Sequence, residues 1–215
     1  MNIVVLISGR GSNLEAIIKA IEEGKIDAKI SLVLSNKKEA KGLEIAKKYG
    51  IKAKFIDPNF FSSREGYDIY ITEFIKNHDP DLVVLAGYMR ILSDKFIESF
   101  EGKLINIHPS LIPAFQGLKA QKQALEYGAK FTGCTVHFVT KELDNGPIII
   151  QAVVPIEPED DEESLSNKIL KYEHRIYPQA IKWIVDNRVK VNGRNVLVEN
   201  AKYGTIPVNP DLEDF

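Results

Sequence analysis

Asn2-Ile-Val-Val-Leu-Ile7, then Ser8-Gly-Arg-Gly-Ser-Asn13, then the segment from Leu14 to Gly24 decide the fold. The first six residues are a continuous apolar run, the pattern of a strand covered on both faces. In the third stretch Leu14, Ile17, Ile18 and Ile21 fall on one helical face, and Gly24 marks a stop. Strand, glycine turn and helix in that order open a β-α-β unit. The pattern repeats downstream. Strands are expected near 29–35, 53–56 and 82–86, with helices near 39–49 and 63–77. Gly50 ends the first of these helices and Asp79-Pro80 the second.

This alternation argues for a parallel sheet with right-handed crossovers, in which ligands bind beyond the carboxyl ends of the strands. The second half reads differently. A short helix near 93–100 leads to a strand at 103–108, and a helix near 119–127 follows a Pro/Gly-rich loop. Two long strands, near 131–140 and 147–155, flank Asp144-Asn145-Gly146 and predict a hairpin with a longer loop. A helix over about 161–184 and a small hairpin around Asn192-Gly193 complete the chain, with a frayed acidic end at Asp211–Phe215. The fold class is α/β: a Rossmann-like, mostly parallel sheet flanked by helices, with an antiparallel hairpin in the C-terminal half. One domain is expected over 1–215. Residues 1–100 form a phosphate-binding half, 101–185 a catalytic half, and 186–215 a hairpin and tail.

Composition narrows the function classes. Of 215 residues 44% are hydrophobic and 27% charged, so the chain can build a core without staples. A net charge of −2 gives no global attraction to nucleic acid or an anionic membrane. Any anionic ligand must be held by local cations and backbone amides. Cys134 is the sole cysteine, which rules out an intrachain disulfide and fits a reducing compartment. The N-terminal apolar run has no basic leader and is too short to span a bilayer, so a cytoplasmic protein is expected.

Gly9-Arg10-Gly11-Ser12-Asn13 links a buried strand to a helix. Glycines let backbone approach an anion, and a helix N-terminus aims free N–H groups at it. Ser12 can either cap the helix or donate to a phosphate. No Gly-Lys-Ser/Thr follows, so this is not a Walker loop, and it is not the G-x-G-x-x-G fingerprint. Strand two ends in Ser35-Asn36 without the acid that would hold an NAD ribose. The loop suits a single phosphate group; a plain tight turn with a serine cap is the alternative.

Asn106-Ile-His108-Pro109 ends a strand. Period-two alternation puts Asn106 and His108 on one side and Ile105 and Ile107 on the other, and Pro109 stops pairing. In isolation this pair reads as a core histidine beside a turn asparagine. Asp144 changes that, if its hairpin loop folds over the strand end. A carboxylate on His108 favours the imidazolium, which can donate to a developing oxyanion with Asn106 as a second donor. That chemistry suits attack of an amine or water on a carbonyl. Ser110 sits in no G-x-S-x-G elbow, and Cys134 lies inside a strand where a buried, inert thiol is expected. His78, His108, His137 and His174 show no metal-ligand spacing, so no metal is expected.

Five stretches tie these features together: Ile7-Ser-Gly-Arg-Gly-Ser-Asn-Leu14, Leu85-Ala-Gly-Tyr-Met-Arg-Ile-Leu92, Asn106-Ile-His-Pro-Ser-Leu-Ile-Pro113, Gly133-Cys-Thr-Val-His-Phe-Val139 and Leu143-Asp-Asn-Gly-Pro147. In this order and spacing the chain resembles the folate-dependent formyltransferases over nearly its whole length, above all the branch that formylates glycinamide ribonucleotide in purine synthesis. The resemblance implies direct attack of that substrate's amine on the formyl carbon of 10-formyltetrahydrofolate. Asn106 and protonated His108 would hold the tetrahedral intermediate and Asp144 would orient the histidine. It implies no tightly bound cofactor, only the folate cosubstrate. Gly11, Ser12 and Asn13 would hold the substrate phosphate, and Glu173 would contact the nucleotide near its amine. Met89, Arg90, Ile91 and Leu92 would line the pterin pocket with Asn106. Thr140 to Asp144, including Leu143, would close over it, and Arg64 would meet the folate. Without the resemblance, Arg64 and Glu173 read as ordinary solvated helix charges. Two positions depart from the pattern: Lys119 stands where histidine is usual and Gln116 where proline is usual. The expected partners are the two small molecules, with no nucleic acid and no membrane, for a monomer or homodimer.

Other readings stay open. Methionyl-tRNA formyltransferases and formyltetrahydrofolate hydrolases share the Asn/His/Asp trio. The former carry an additional C-terminal domain, for which the roughly thirty residues after the long helix are too few. The latter carry an extra N-terminal domain, whereas the first strand here begins at once. A non-catalytic nucleotide-binding module would use the phosphate loop while His108 was only structural.

Overall fold

β1 (Asn2–Ile7) is buried on both faces, with Ile3 to Ile7 wholly inside, as its unbroken apolar run requires. It lies in the first of two compact units, Met1–Asn106 and Ile107–Phe215, of a computed structural model that describes residues 1–214. After β1 come α1 (Ser12–Glu22), β2 (Lys29–Ser35), α2 (Lys41–Lys48) and β3 (Ala53–Phe55). A 3-10 turn at Pro58–Phe60 precedes α3 (Arg64–Lys76), β4 (Leu82–Leu85), α4 (Asp94–Ser99) and β5 (Leu104–His108). Each strand and α-helix matches a segment expected from the sequence, the 3-10 turn does not, and the boundaries follow local chemistry. Ser63 and Ser93 accept backbone N–H groups as caps of α3 and α4, and Gly24 and Gly50 take left-handed φ just past α1 and α2.

The strands of the first unit are parallel, in the order β5-β4-β1-β2-β3. β1 pairs with β2 on one side and β4 on the other, so the direction of winding reverses between β1 and β4. Loops at the carboxyl ends of two such strands diverge and leave a crevice, the usual place for a ligand in this kind of sheet.

The second unit contains α5 (Ala120–Tyr127), then β6 (Phe131–Phe138) and β7 (Ile148–Pro155), an antiparallel hairpin. α6 (Glu162–Val185) starts at an Asp161–Ser164 capping box and packs on both strands. Leu165, Ile169, Ile176, Tyr177, Ile181 and Trp183 form its buried stripe. β8 (Val189–Asn192) and β9 (Asn195–Val198) pair around Asn192-Gly193 as expected. The fold is therefore a mostly parallel sheet flanked by helices, with the antiparallel hairpin in the C-terminal half.

The tail departs from expectation. β10 (Val208–Asn209) pairs antiparallel with β7, and Glu213 takes a two-pronged ion pair from Arg188 at 2.8 and 2.6 Å. Residues 211–213 are thus docked rather than frayed; Phe215, also expected to fray, lies outside the described residues. The composition of the tail is acidic, but one of its carboxylates has a specific cation and its backbone has a sheet edge. Among the described residues no helix is long and apolar enough to cross a membrane.

Candidate active site

In the first unit the loops after β1 and β4 are held together by one serine. Ser8 N–H donates to the Gly87 carbonyl at 3.1 Å. Ser8 Oγ donates to Asn36 Oδ1 at 2.6 Å and accepts the Met89 N–H at 2.7 Å. The glycine loop and the 86–92 loop are therefore neighbours at the winding reversal. Gly11, at φ +78°, is the N-cap of α1. It has no side chain to cap with, and Ser12 is inside the helix, so the serine-cap alternative does not hold. No side-chain acceptor caps the first amides of α1, which suits an anion. Gly11 has a packing reason too: a Cβ there would lie 2.5 Å from the Gly42 Cα. Asn13 is buried at the start of the helix.

Along the 86–92 loop, Met89 and Ile91 are 61% and 60% exposed, whereas Leu92 is core. Two exposed apolar side chains one residue apart offer a surface for a flat ring. The Arg90 guanidinium lies 4.7 Å from the centre of the Tyr67 ring. Asp68, fully buried, links this loop to α3 and α4. Burial pushes its carboxyl up; the Ser93 amide, donating at 2.6 Å, and then Arg90 and Arg64 pull it down. Arg64 and Arg90 thus act on one buried acid from an exposed and a half-buried position. Asn106, half-buried at the end of this unit on β5, pairs in register with Leu85.

In the second unit His108 is 5% exposed. Its Nδ1 lies 3.3 Å from Asp144 Oδ2, and its Nε2 faces the Phe115 carbonyl at 2.9 Å. Both ring nitrogens face acceptor oxygens. The loop of the β6–β7 hairpin does fold onto His108, as the sequence reading required. Asp144 Oδ2 also accepts the Gly117 N–H at 2.9 Å. Thr140 and Leu143 share this loop, with Leu143 52% exposed. Gly146 permits the loop's tight return, since a Cβ would collide with the Phe138 carbonyl. Glu173 is 6% exposed on α6, so it is not the solvated helix charge that sequence without the resemblance suggests. Lys119 is the N-cap of α5 at φ +58°. Cys134 is buried in β6, and burial pushes its thiol well above the ordinary range, which leaves no thiolate nucleophile.

Three residues at this loop have no role in the sequence reading. His137 Nε2 lies 3.8 Å from Asp144 Oδ1, and burial pushes the ring's pKa down to about 4. Gln116 donates to the Asp144 carbonyl and Arg194 to Asn145. Two of them carry a sequence signal: His137 lies in a stretch shared with the family resemblance, and Gln116 departs from that pattern. The aim of His137 depends on a register shift between Val136 and His137, which strand periodicity does not show.

Residues 1–181 match a family described as formyl transferase. The chain is 49% identical over 192 residues to phosphoribosylglycinamide formyltransferase of Escherichia coli K12, covering 89% of this chain and 91% of that protein. It is 42% identical to part of the human trifunctional purine biosynthetic protein adenosine-3, covering 89% of this chain and 19% of that one. The crystal structure of glycinamide ribonucleotide transformylase 1 from Symbiobacterium toebii superposes with a TM-score of 0.90 at 46% identity, over 92% of this chain and 93% of that one.

Proposed function

The chain belongs to the formyl transferase family, and from that premise we propose that it moves the formyl group of 10-formyltetrahydrofolate to the amine of N1-(5-phospho-D-ribosyl)glycinamide, a step of de novo purine synthesis. The observation that carries the chemistry is His108 seated between Asp144 and an acceptor oxygen, in a chain whose 49% identical relative is named for this reaction. The amine nitrogen attacks the formyl carbon, and the carbonyl electron pair moves onto oxygen. His108 Nε2–H donates to that oxyanion along the direction the Phe115 carbonyl now takes, and the Asn106 amide is the second donor. Asp144 holds the ring and its charge. A water takes the proton released by the amine, the intermediate collapses, and the folate nitrogen leaves with a proton. The substrate amine is the nucleophile; no protein side chain is acylated.

The remaining roles follow the same reading. The α1 amides, with Gly11, Ser12 and Asn13, take the substrate phosphate, and Glu173 meets the substrate near its amine. Met89, Arg90, Ile91 and Leu92 take the pterin with Asn106, and Thr140 and Leu143 close over it. Arg64 meets a carboxylate of the folate. Residues 1–215 act as one catalytic domain, in the cytoplasm, as a monomer or homodimer on small molecules alone.

A spectrophotometric assay with 10-formyltetrahydrofolate, with and without the amine substrate, tests this. Product that depends on the amine is expected. Formate release without the amine would make the protein a hydrolase, and no turnover by folded protein would sink both readings. His108→Ala should cut kcat about a thousand-fold while both substrates still bind. Unchanged turnover would leave the phosphate loop of a non-catalytic binding module as the surviving reading.

A further inference from the structure

Asp144 holds a left-handed backbone, φ +44°, uncommon for a residue with a side chain although aspartate is among those that adopt it most readily. Two side chains from outside the loop grip the main chain there. From one side Gln116 Nε2 donates to the Asp144 carbonyl at 2.9 Å. Gln116 is itself fixed, because Gln123 Nε2 on α5 donates to the carbonyls of Gln116 and Leu118 at 2.9 Å each. From the other side Arg194, at the tip of the β8–β9 hairpin, donates through Nη2 to the Asn145 carbonyl and to Asn145 Oδ1, both at 2.9 Å. The Asn145 amide in turn donates to the Glu142 carboxylate, so the grip extends back along the loop.

Arg194 lies beyond residues 1–181, the part matched to the family. Both contacts fall on the main chain beside the carboxylate rather than on the carboxylate. Asp144 Oδ2 stands 3.3 Å from His108 Nδ1 and 2.9 Å from the Gly117 nitrogen.

We propose that Gln116 and Arg194 are positioning residues that form a two-sided clamp on the 144–145 backbone and keep the Asp144 carboxylate on His108; the catalytic consequence rests on the reaction proposed above. The clamp acts through Asp144, so its value in catalysis vanishes when that carboxylate is gone. Misplacing an orienting group by a fraction of an ångström lowers turnover without removing the substrates' own contacts.

The test is a set of steady-state measurements on Gln116→Ala and Arg194→Ala, each made in the wild-type chain and in Asp144→Ala. In the wild-type background each substitution should lower kcat roughly three- to ten-fold, the worth of one or two exposed hydrogen bonds, with KM for the amine substrate unchanged. In the Asp144→Ala background the same substitutions should leave the residual rate unaltered. An equal fold-loss in both backgrounds would reveal a merely structural role, and no loss in either would remove the clamp. Amide exchange gives a readout independent of turnover. Arg194→Ala should speed exchange of the Gly117 N–H, which donates to Asp144 Oδ2 although it is distant from Arg194 in the chain. Should the wild-type protein transfer no formyl group, the reaction falls, and the Gly117 exchange rate alone decides the clamp: unchanged exchange overturns it.

Discussion

Asp144 stands between two imidazoles, those of His108 and His137. His137 Nδ1 donates to the Phe138 carbonyl at 2.9 Å. A ring whose pKa burial pushes down to about 4 is neutral at physiological pH, so its Nε2 carries a lone pair. Asp144 Oδ1 lies 3.8 Å from that nitrogen, beyond hydrogen-bond reach. The other carboxylate oxygen, Oδ2, lies 3.3 Å from His108 Nδ1 and accepts the Gly117 N–H at 2.9 Å. Burial of a neutral histidine has a cost in acid. The folded pKa lies below the unfolded value of about 6.5, so the unfolded chain binds more protons between the two. Stability is full above about pH 6.5 and falls as pH drops toward about 4, by on the order of 3 kcal/mol for this group. Urea midpoints at about pH 7 and about pH 5 should show the loss in the wild type and a smaller one in His137→Asn. Equal slopes in the two proteins would mean that His137 is not the group that titrates.

At the scale of elements, two close approaches set the loops. α1 and α2 meet where Gly42 N–H donates to the Gly9 carbonyl at 3.2 Å, and Gly11 lies against the Gly42 backbone. Gly11→Ala adds both a left-handed strain and a Cβ 2.5 Å from the Gly42 Cα. Gly9→Ala meets nothing within 4 Å. The first should cost about 2–4 kcal/mol in denaturant titration and the second less than about 1. Similar losses from both would show that the helix contact is not what requires glycine at 11. The same contrast explains what was legible in sequence. Strands and helices of the first unit follow from apolar periodicity and stop signals, because β1 is buried on both faces and each helix has one apolar stripe. Asn106 and His108 are linked by period two within β5. The link to Asp144 is a long-range contact made by a hairpin loop, visible before folding only through a family resemblance. His137 depends on a bulge, and Gln116 and Arg194 act through side-chain bonds to distant carbonyls. None of these leaves a periodic trace. Gly11 was read for its access to an anion; its contact with Gly42 needs two helices placed in space.

For the molecule as a whole, the tail is where local composition misleads most. Residues 211–213 look like a solvated acidic end, yet their backbone N–H groups and the Glu213 carboxylate have partners. Asp211 N–H donates to the Lys202 carbonyl at 2.8 Å, and Glu213 N–H donates to Oε1 of the buried Gln179 at 3.0 Å. The Arg188 hydrogen bonds, the largest effect on Glu213, hold its carboxyl below the ordinary range. That contribution is present above the unfolded carboxyl pKa and is lost as pH falls through the folded one. Val208, 4% exposed, sits against β7, with Val208 and Asn209 paired to Ala152 and Gln151. An unpaired strand edge invites pairing with other chains, and β10 covers part of this one. Truncation before Val208 removes the strand pairing, one buried valine and a two-pronged ion pair at once. These together contribute on the order of 2–4 kcal/mol, or a fall in Tm of roughly 5–10 °C for a chain of this size. Glu213→Gln, which removes only the charge, should cost about 1 kcal/mol and lose its effect in acid, where the native carboxyl is protonated as well. Light scattering on heating should rise earlier in the truncated protein than in Glu213→Gln, because only the truncation bares the β7 edge. A truncated chain that melts and scatters like the wild type would return these residues to the status of a free acidic end.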